Sequence, residues 1–337
     1  MKLQDCHMQL RTVLTAPLER DEPEPEWSNA HESEIIPEQL WNLYRSTRYL
    51  SGSALAGMET PQARMITVYV ARLMRSVREC LVDASELREQ MRQLSPLQYD
   101  PRKPYPHEFD REASRRHRSA FRSLLVNLLG SLDVFADLVA IILPRRVPRL
   151  AAGRATFTDM ERWLAKPNQV TAAVVTPHEH HASELHNRLS PLIFVVSGPE
   201  RDWLPLLRMY RNKVAHLGHE SYTQFGLEHI SDDGLSFFIP RSWPFVAEQY
   251  ASSEVSPTPS GRLVDFSDVL TRWLMHQDLE EYSEGAIRKV REVLGVGFQV
   301  LHEAYVQLKS ISPSQQVLED LESSKQSFEF EYFHSAG

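Results

Sequence analysis

A mainly α fold, built as a helical bundle, is what this sequence predicts, and three observations predict it. From Ile66 to Leu94 apolar residues recur in steps of four and three, through Val70, Leu73, Val77, Cys80, Ala84, Leu87 and Met91. Phe121, Leu125, Leu128, Leu132, Phe135, Val139 and Ile142 repeat that alternation. A third series steps through Ile287, Val290, Leu294, Phe298, Leu301, Tyr305 and Leu308. Such steps return to one face of a helix, whereas a strand returns to one face every second residue. The chain is 337 residues long, ample for a sizeable core.

Taken in order, residues 1–60 are an acidic segment with one short helix. The run Asp21-Glu22-Pro23-Glu24-Pro25-Glu26 reads as a solvated loop. Pro37 starts a helix through Leu40, Trp41, Tyr44 and Leu50, which the small residues of Ser51–Gly57 end. Thr60-Pro61 then opens the first long helix, with Thr as N-cap and Pro at the first helical position. It stops at Ser95-Pro96, and Leu97–Pro106 is a connector. The second long helix spans about Asp110 to Leu143 and begins among Arg111, Arg115, Arg116, His117 and Arg118. A short helical stretch follows around Phe157–Leu164, and another helix leads from the histidines near His178 into Ile193.

After Pro199 the apolar positions Trp203, Leu207, Tyr210, Val214 and Leu217 step by four and three, and Gly218 suits the left-handed residue that ends a helix. Beyond it, Tyr222–Leu227 and Leu235–Ile239 flank Ser231-Asp232-Asp233-Gly234, a hairpin pattern. Pro240, Pro244, Pro257 and Pro259 mark an irregular passage, and helical spacing resumes at Phe266, Val269, Leu270 and Trp273 with a break near Gly285. The tail ends in Phe328-Glu329-Phe330-Glu331-Tyr332-Phe333, alternating acid and aromatic as a docking strand or a loose end would. The expected division is 1–60, a helical core at 61–220, a hairpin at 221–245, an extra C-terminal helical section at 246–310 packed on that core, and a polar tail at 311–337.

Composition narrows the chemistry. The net charge of −8 argues against a general nucleic-acid coat, but the charge is unevenly spread. Residues 61–150 carry 16 Lys/Arg against 10 Asp/Glu, while every other section is net acidic. Arg115, Arg118 and Arg122 fall on one side of the second long helix, as phosphate contacts would, although a solvated helix face gives the same pattern. Asp133 and Asp137, four apart off the apolar seam, suit a surface pair or a cap, or an acid that orients Arg211 from a neighbouring helix. Two cysteines make neither a disulfide framework nor a thiolate metal site. The run His178, His180, His181, Glu184 and His186 is the best metal candidate. It lacks the His-Glu-x-x-His spacing and a third ligand, so no metal and no cofactor is expected. No segment approaches about 20 apolar residues, and the N-terminus lacks a signal peptide's apolar stretch, so a cytoplasmic protein away from membranes is expected.

The chemical group that stands out lies on the helix before Gly218. Asn212 and His216 are four residues apart and share a face, and Arg211 lies beside that face. A fixed cation, an amide and a titratable imidazole at one helix end suit the handling of a phosphate. The spelling Arg-Asn-x-x-x-His resembles the Arg-x4–6-His signature of the HEPN superfamily, all-helical domains that are in many cases metal-independent ribonucleases. The resemblance implies Arg211, Asn212 and His216 as the catalytic positions, and a helical core with the motif late in it. It also implies a homodimer that brings two motif helices together, and a toxin or phage-defence setting. RNA would be the partner, with Arg208, Lys213, Arg115, Arg118 and Arg122 as its contacts, alongside a possible protein regulator. The position two beyond His216, where some of these toxins carry a modified Tyr, is Gly218 here. The alternative is a non-catalytic HEPN-like module that binds nucleic acid or protein, with Arg211 tied to an acid and His216 capping the helix.

Overall fold

The computed structural model describes residues 35–54, 61–94, 111–144, 146–168, 176–195, 200–216, 227–231, 234–238 and 279–308. The acidic run at 21–26, the connector at 97–106, Gly218, the pattern at 266–273 and the terminal aromatics lie outside the described residues. The protein is mainly α. Its elements are α1 (Glu38–Ala54), α2 (Pro61–Leu94), α3 (Arg111–Ile142), α4 (Phe157–Leu164), α5 (Pro177–Ile193), α6 (Trp203–His216) and α7 (Leu279–Leu308), with the short strands β1 (Leu227–Ser231) and β2 (Gly234–Phe238) between α6 and α7. The strands pair antiparallel, Leu227 opposite Phe238. Helix α1 runs on through Ser51 to Ala54, past the small residues expected to end it.

Helices α2 and α3 form the longest packed pair. They run antiparallel: Gly130 lies against Cys80, while Tyr69, nearer the start of α2, bonds Asp137, nearer the end of α3. The whole apolar series from Phe121 to Ile142 is buried. On α2 the seam is centred one residue over from the expected one. Met74 and Leu81 are fully buried, whereas Leu73, Cys80 and Leu87 are only half-buried. Leu73-Met74 and Cys80-Leu81 are adjacent apolar pairs, so spacing alone leaves open which member of each takes the core position. Burial still pushes the Cys80 thiol up to about 11, so it stays protonated near neutrality.

Helix α7 corrects the expected organisation most. It is continuous through Gly285, with no break, and it packs against α1, α2, α3 and α5. Val290, Val293, Leu294, Phe298, Leu301 and Ala304 belong to the same hydrophobic cluster as the residues of α2 and α3. It is therefore a member of the core and not a section laid on it. Gly297 makes the closest approach: a Cβ there would lie 2.2 Å from Cζ of Phe135. Phe135 and Phe298 meet edge to face at 5.3 Å beside it.

The segment Arg115–Ile142 of α3 is long and apolar enough to cross a membrane by length and composition, contrary to the expectation that no segment comes close. Most of it is buried against the other helices, and a bundle's central helix meets the same criterion.

Two glycines in α7 should respond oppositely to alanine. Gly297→Ala drives a methyl into Phe135 and should cost about 1–3 kcal/mol by overpacking. Gly285→Ala meets nothing within 4 Å and should stabilise by up to about 1 kcal/mol, as alanine normally does inside a helix. Urea unfolding of both variants reads the two signs, and equal signs would refute the close approach.

Candidate functional site

The motif helix is positioned by an acidic bracket that α3 and α4 build together. Asp137 comes first in the construction. It is buried, not on the surface as its spacing suggested, and it accepts hydrogen bonds from the Tyr69 hydroxyl at 2.6 Å and the Gly153 amide at 2.6 Å. Gly153 has φ 81°, a left-handed conformation that glycine adopts without strain. One turn earlier, Asp133 accepts from the Phe157 amide at 2.8 Å, the first residue of α4. Thr156 caps the same helix by accepting from the Asp159 amide at 3.3 Å. Two aspartates of α3 therefore hold the chain reversal that ends in α4.

Helix α4 then presents Glu161 to the motif helix. Phe157, Met160, Glu161 and Leu164 are its buried residues, one face at steps of three, one and three. A carboxylate on that face needs a partner, and Arg208 of α6 supplies it through a direct Nη1–Oε2 contact. Their side chains are 14% and 2% exposed, so this is a buried ion pair. Burial raises the Glu161 carboxyl above the usual range, although the guanidinium opposes it. Burial likewise raises Asp133, opposed by the Phe157 amide and then by the positive charges of Arg208 and Arg211. Asp133 keeps an edge open to solvent, and Arg211 is exposed. The four groups, two acids and two guanidiniums, form one cluster where α6 crosses α3 and α4.

The residues expected to act on RNA thus divide. Arg211 stands at the surface end of the cluster, within the electrostatic reach of Asp133. His216 is the last residue of α6, with Asn212 one turn before it, and the side chains of Asn212, Lys213 and His216 lie outside the described ones. Arg208 is turned into the protein toward Glu161 and away from solvent. Arg115 and Arg122 are exposed on α3, in the half of that helix remote from Asp133, and the side chain at position 118 is not among those described.

Two histidines of the run, His181 and His186, are structural. Helix α5 opens with a capping box between Thr176 and Glu179 and with Pro177 at its first turn. His181 is buried and bonds Gln307 of α7 at 2.5 Å, and His186 is buried and bonds the Lys166 carbonyl at 2.8 Å, edge-on to Trp163. His181 lies near Glu184, at 3.8 Å. Among the described residues no three His, Cys, Asp or Glu side chains gather as a metal site would require.

Sequence reasoning missed Glu161. The signal was present: in FTDMERWL the glutamate falls at an i, i+3, i+4, i+7 position together with Phe157, Met160 and Leu164. What a single sequence does not display is which distant arginine answers it. No protein-family model, no curated protein and no solved structure matches this chain.

Two predictions follow from the bracket. Glu161→Gln leaves Arg208 buried without its counter-charge and should cost about 3–5 kcal/mol. Glu161→Leu with Arg208→Met removes both charges and should recover most of the loss, so denaturant titration of the single and double variants checks the pair. A loss below about 0.5 kcal/mol in the single variant would show that the pair carries no weight. The second concerns pH. Asp137 has its native carboxyl raised by burial, so the native state binds that proton more tightly than the unfolded state. Its stabilising contribution is complete below the ordinary aspartate range and is lost as pH rises through the raised native value. Stability measured from pH 4 to 7 should therefore fall less steeply in Asp137→Asn than in the unaltered protein, and an unchanged slope would contradict the burial effect.

Proposed function

We infer that the protein is a metal-independent endoribonuclease of HEPN type, acting through Arg211, Asn212 and His216. The observation that carries this reading is the pairing of an exposed Arg211 with a helix that ends on His216. RNA brings its own nucleophile, the 2′-hydroxyl. A protein needs only to remove that proton, offset charge on the phosphate and protonate the departing 5′-oxygen. Arg211 offers a planar guanidinium for the phosphate. His216 stands at a helix C-terminus, where the dipole favours the charged imidazole and hence the acid role. Asn212, on the His216 face by spacing, is placed to bond a phosphate oxygen or the ribose. The products are a 2′,3′-cyclic phosphate and a 5′-hydroxyl.

One imidazole supplies half of an acid–base pair. A two-fold dimer that opposes two α6 helices supplies the other half, so the active species is a homodimer. The same chemistry suits a toxin or an antiviral effector in the cytoplasm. The second reading, a non-catalytic HEPN-like module, draws on the Asp133 charge beside Arg211, because an arginine held by an acid is less available to a phosphate.

Arg211→Ala and His216→Ala should each lower cleavage of a short unstructured oligoribonucleotide by about 10²–10⁴-fold. Arg211 is exposed, so its variant should keep the unfolding midpoint of the parent. Cleavage should survive EDTA and leave a cyclic phosphate on the 5′ fragment. Cleavage lost in EDTA and restored by manganese or zinc would refute the mechanism. No cleavage by the dimeric protein under any of these conditions favours the binding module.

A further inference from the structure

The loop between α3 and α4 carries an arginine in a conformation that glycine normally takes. Residues 147–150 close a turn in which the Leu150 amide donates to the Val147 carbonyl at 3.3 Å. Residues 151–154 close a second turn, from the Arg154 amide to the Ala151 carbonyl at 3.2 Å. The third position of each is left-handed, Gly153 at φ 81° and Arg149 at φ 70°. Turns with a left-handed third position favour proline second and glycine third. Pro148 obeys that preference and Arg149 breaks it, at a steric cost that glycine avoids.

Arg149 returns nothing polar to the fold for that cost. It is exposed, and its side chain makes no hydrogen bond or ion pair with any described residue. The same holds for Arg154. The loop beneath them is fixed, because Val147, Leu150, Ala152 and Ala155 are buried and Asp137 accepts from the Gly153 amide at 2.6 Å. Two guanidiniums thus stand on a rigid base. From residue 138 to residue 158 the chain carries no Asp or Glu. Asp159, the next acid along it, is answered by Arg162 at 2.9 Å, and Glu179 of α5 is answered by Arg146 of the loop at 2.7 Å. Arg154 falls between Gly153, which Asp137 holds, and Phe157, which Asp133 holds. Asp133 is also the acid beside Arg211, so the loop and the motif helix meet the same stretch of α3.

We propose that this loop is a phosphate grip for the RNA strand, in which Arg149 and Arg154 take backbone phosphate other than the one at Arg211. A guanidinium offers a phosphate two parallel donors, and a rigid loop spends little freedom in presenting it. Val147 and Leu150 are turned inward, so the described loop offers no large apolar side chain to a bilayer. That the strand is RNA rests on the ribonuclease reading, whereas the grip rests on the loop.

Binding is measured on His216→Ala protein, which cannot turn over, with a fluorescein-labelled 12-nucleotide oligouridine and anisotropy. Arg149→Gly should keep or raise the urea midpoint, because glycine relieves the turn, and yet weaken binding by about threefold or more. Arg149→Lys keeps the charge without the fork and should recover part of that loss. Arg149→Gly with Arg154→Gln should weaken binding about tenfold or more, the salt dependence of log K becoming shallower by about 0.7 for each arginine removed. Arg45→Gln, exposed on α1, should leave binding unchanged. Far-ultraviolet dichroism confirms each fold, and the single variants decide should the double fail to fold. A lowered midpoint in Arg149→Gly, unchanged affinity in the loop variants, or an equal loss in the α1 variant overturns the grip. So does equal affinity for a 12-residue oligoglutamate, because any negative charge would then satisfy the loop. Oligouridine bound as expected by a protein that never cleaves it upholds the grip and removes the ribonuclease reading. Cleavage with KM unchanged in the loop variants does the reverse.

Discussion

The buried contact between Glu161 and Arg208 is the constraint on which the placement of the motif helix depends. Each charge alone would be strongly unfavourable where it sits, at 2% and 14% side-chain exposure. Together they leave α6 little freedom to rotate or slide against α4, because a displacement of a few ångströms exposes an unmatched charge inside the protein. An apolar contact in the same place would tolerate such a slip at modest cost. The pair is thus better suited to fixing a register than to adding stability. What it registers is Arg211, three residues on and nearly one turn round from Arg208.

That register propagates outward through α3. Asp137 and Asp133 fix the reversal that leads into α4, α4 carries Glu161, and Glu161 holds α6. The chain of contacts begins in the most heavily packed helix of the molecule, where α7 presses Gly297 against Phe135. A rigid core thus extends toward an exposed guanidinium through three short polar links.

The helices were legible because burial writes itself into spacing. Steps of four and three located α2, α3 and α7, and the short helical stretch at Phe157–Leu164 was equally readable. Two things were not. The seam of α2 passes through Met74 and Leu81, and adjacent apolar residues leave the choice to the partner's shape. The continuity of α7 through Gly285 was also hidden, because glycine weakens a helix locally while packing on both sides restores it. Of the site, the exposed Arg211 and the terminal His216 were readable, whereas the inward turn of Arg208 depended on a glutamate 47 residues earlier.

Asp133 sets the balance between the two functional readings. Its negative charge lowers the net charge that Arg211 offers to a phosphate, which favours a silent module. Its proximity also sets an opposite charge near Arg211, which favours catalysis if that charge orients the guanidinium. The two effects differ in how they scale with the approach of an anion. Orientation is retained as a phosphate nears, while the acid's repulsion grows only for a phosphate on its own side of Arg211. Asp133 holds one oxygen against the Phe157 amide at 2.8 Å, and burial already pushes its carboxyl toward the neutral form. A nearby phosphate pushes it further that way, since a second negative charge disfavours the carboxylate. On the proposed ribonuclease reading, an approaching RNA phosphate would therefore weaken the repulsion while leaving the amide bond to hold the side chain in place. On that reading Asp133 would act as a positioning residue for Arg211 rather than as a barrier to a phosphate.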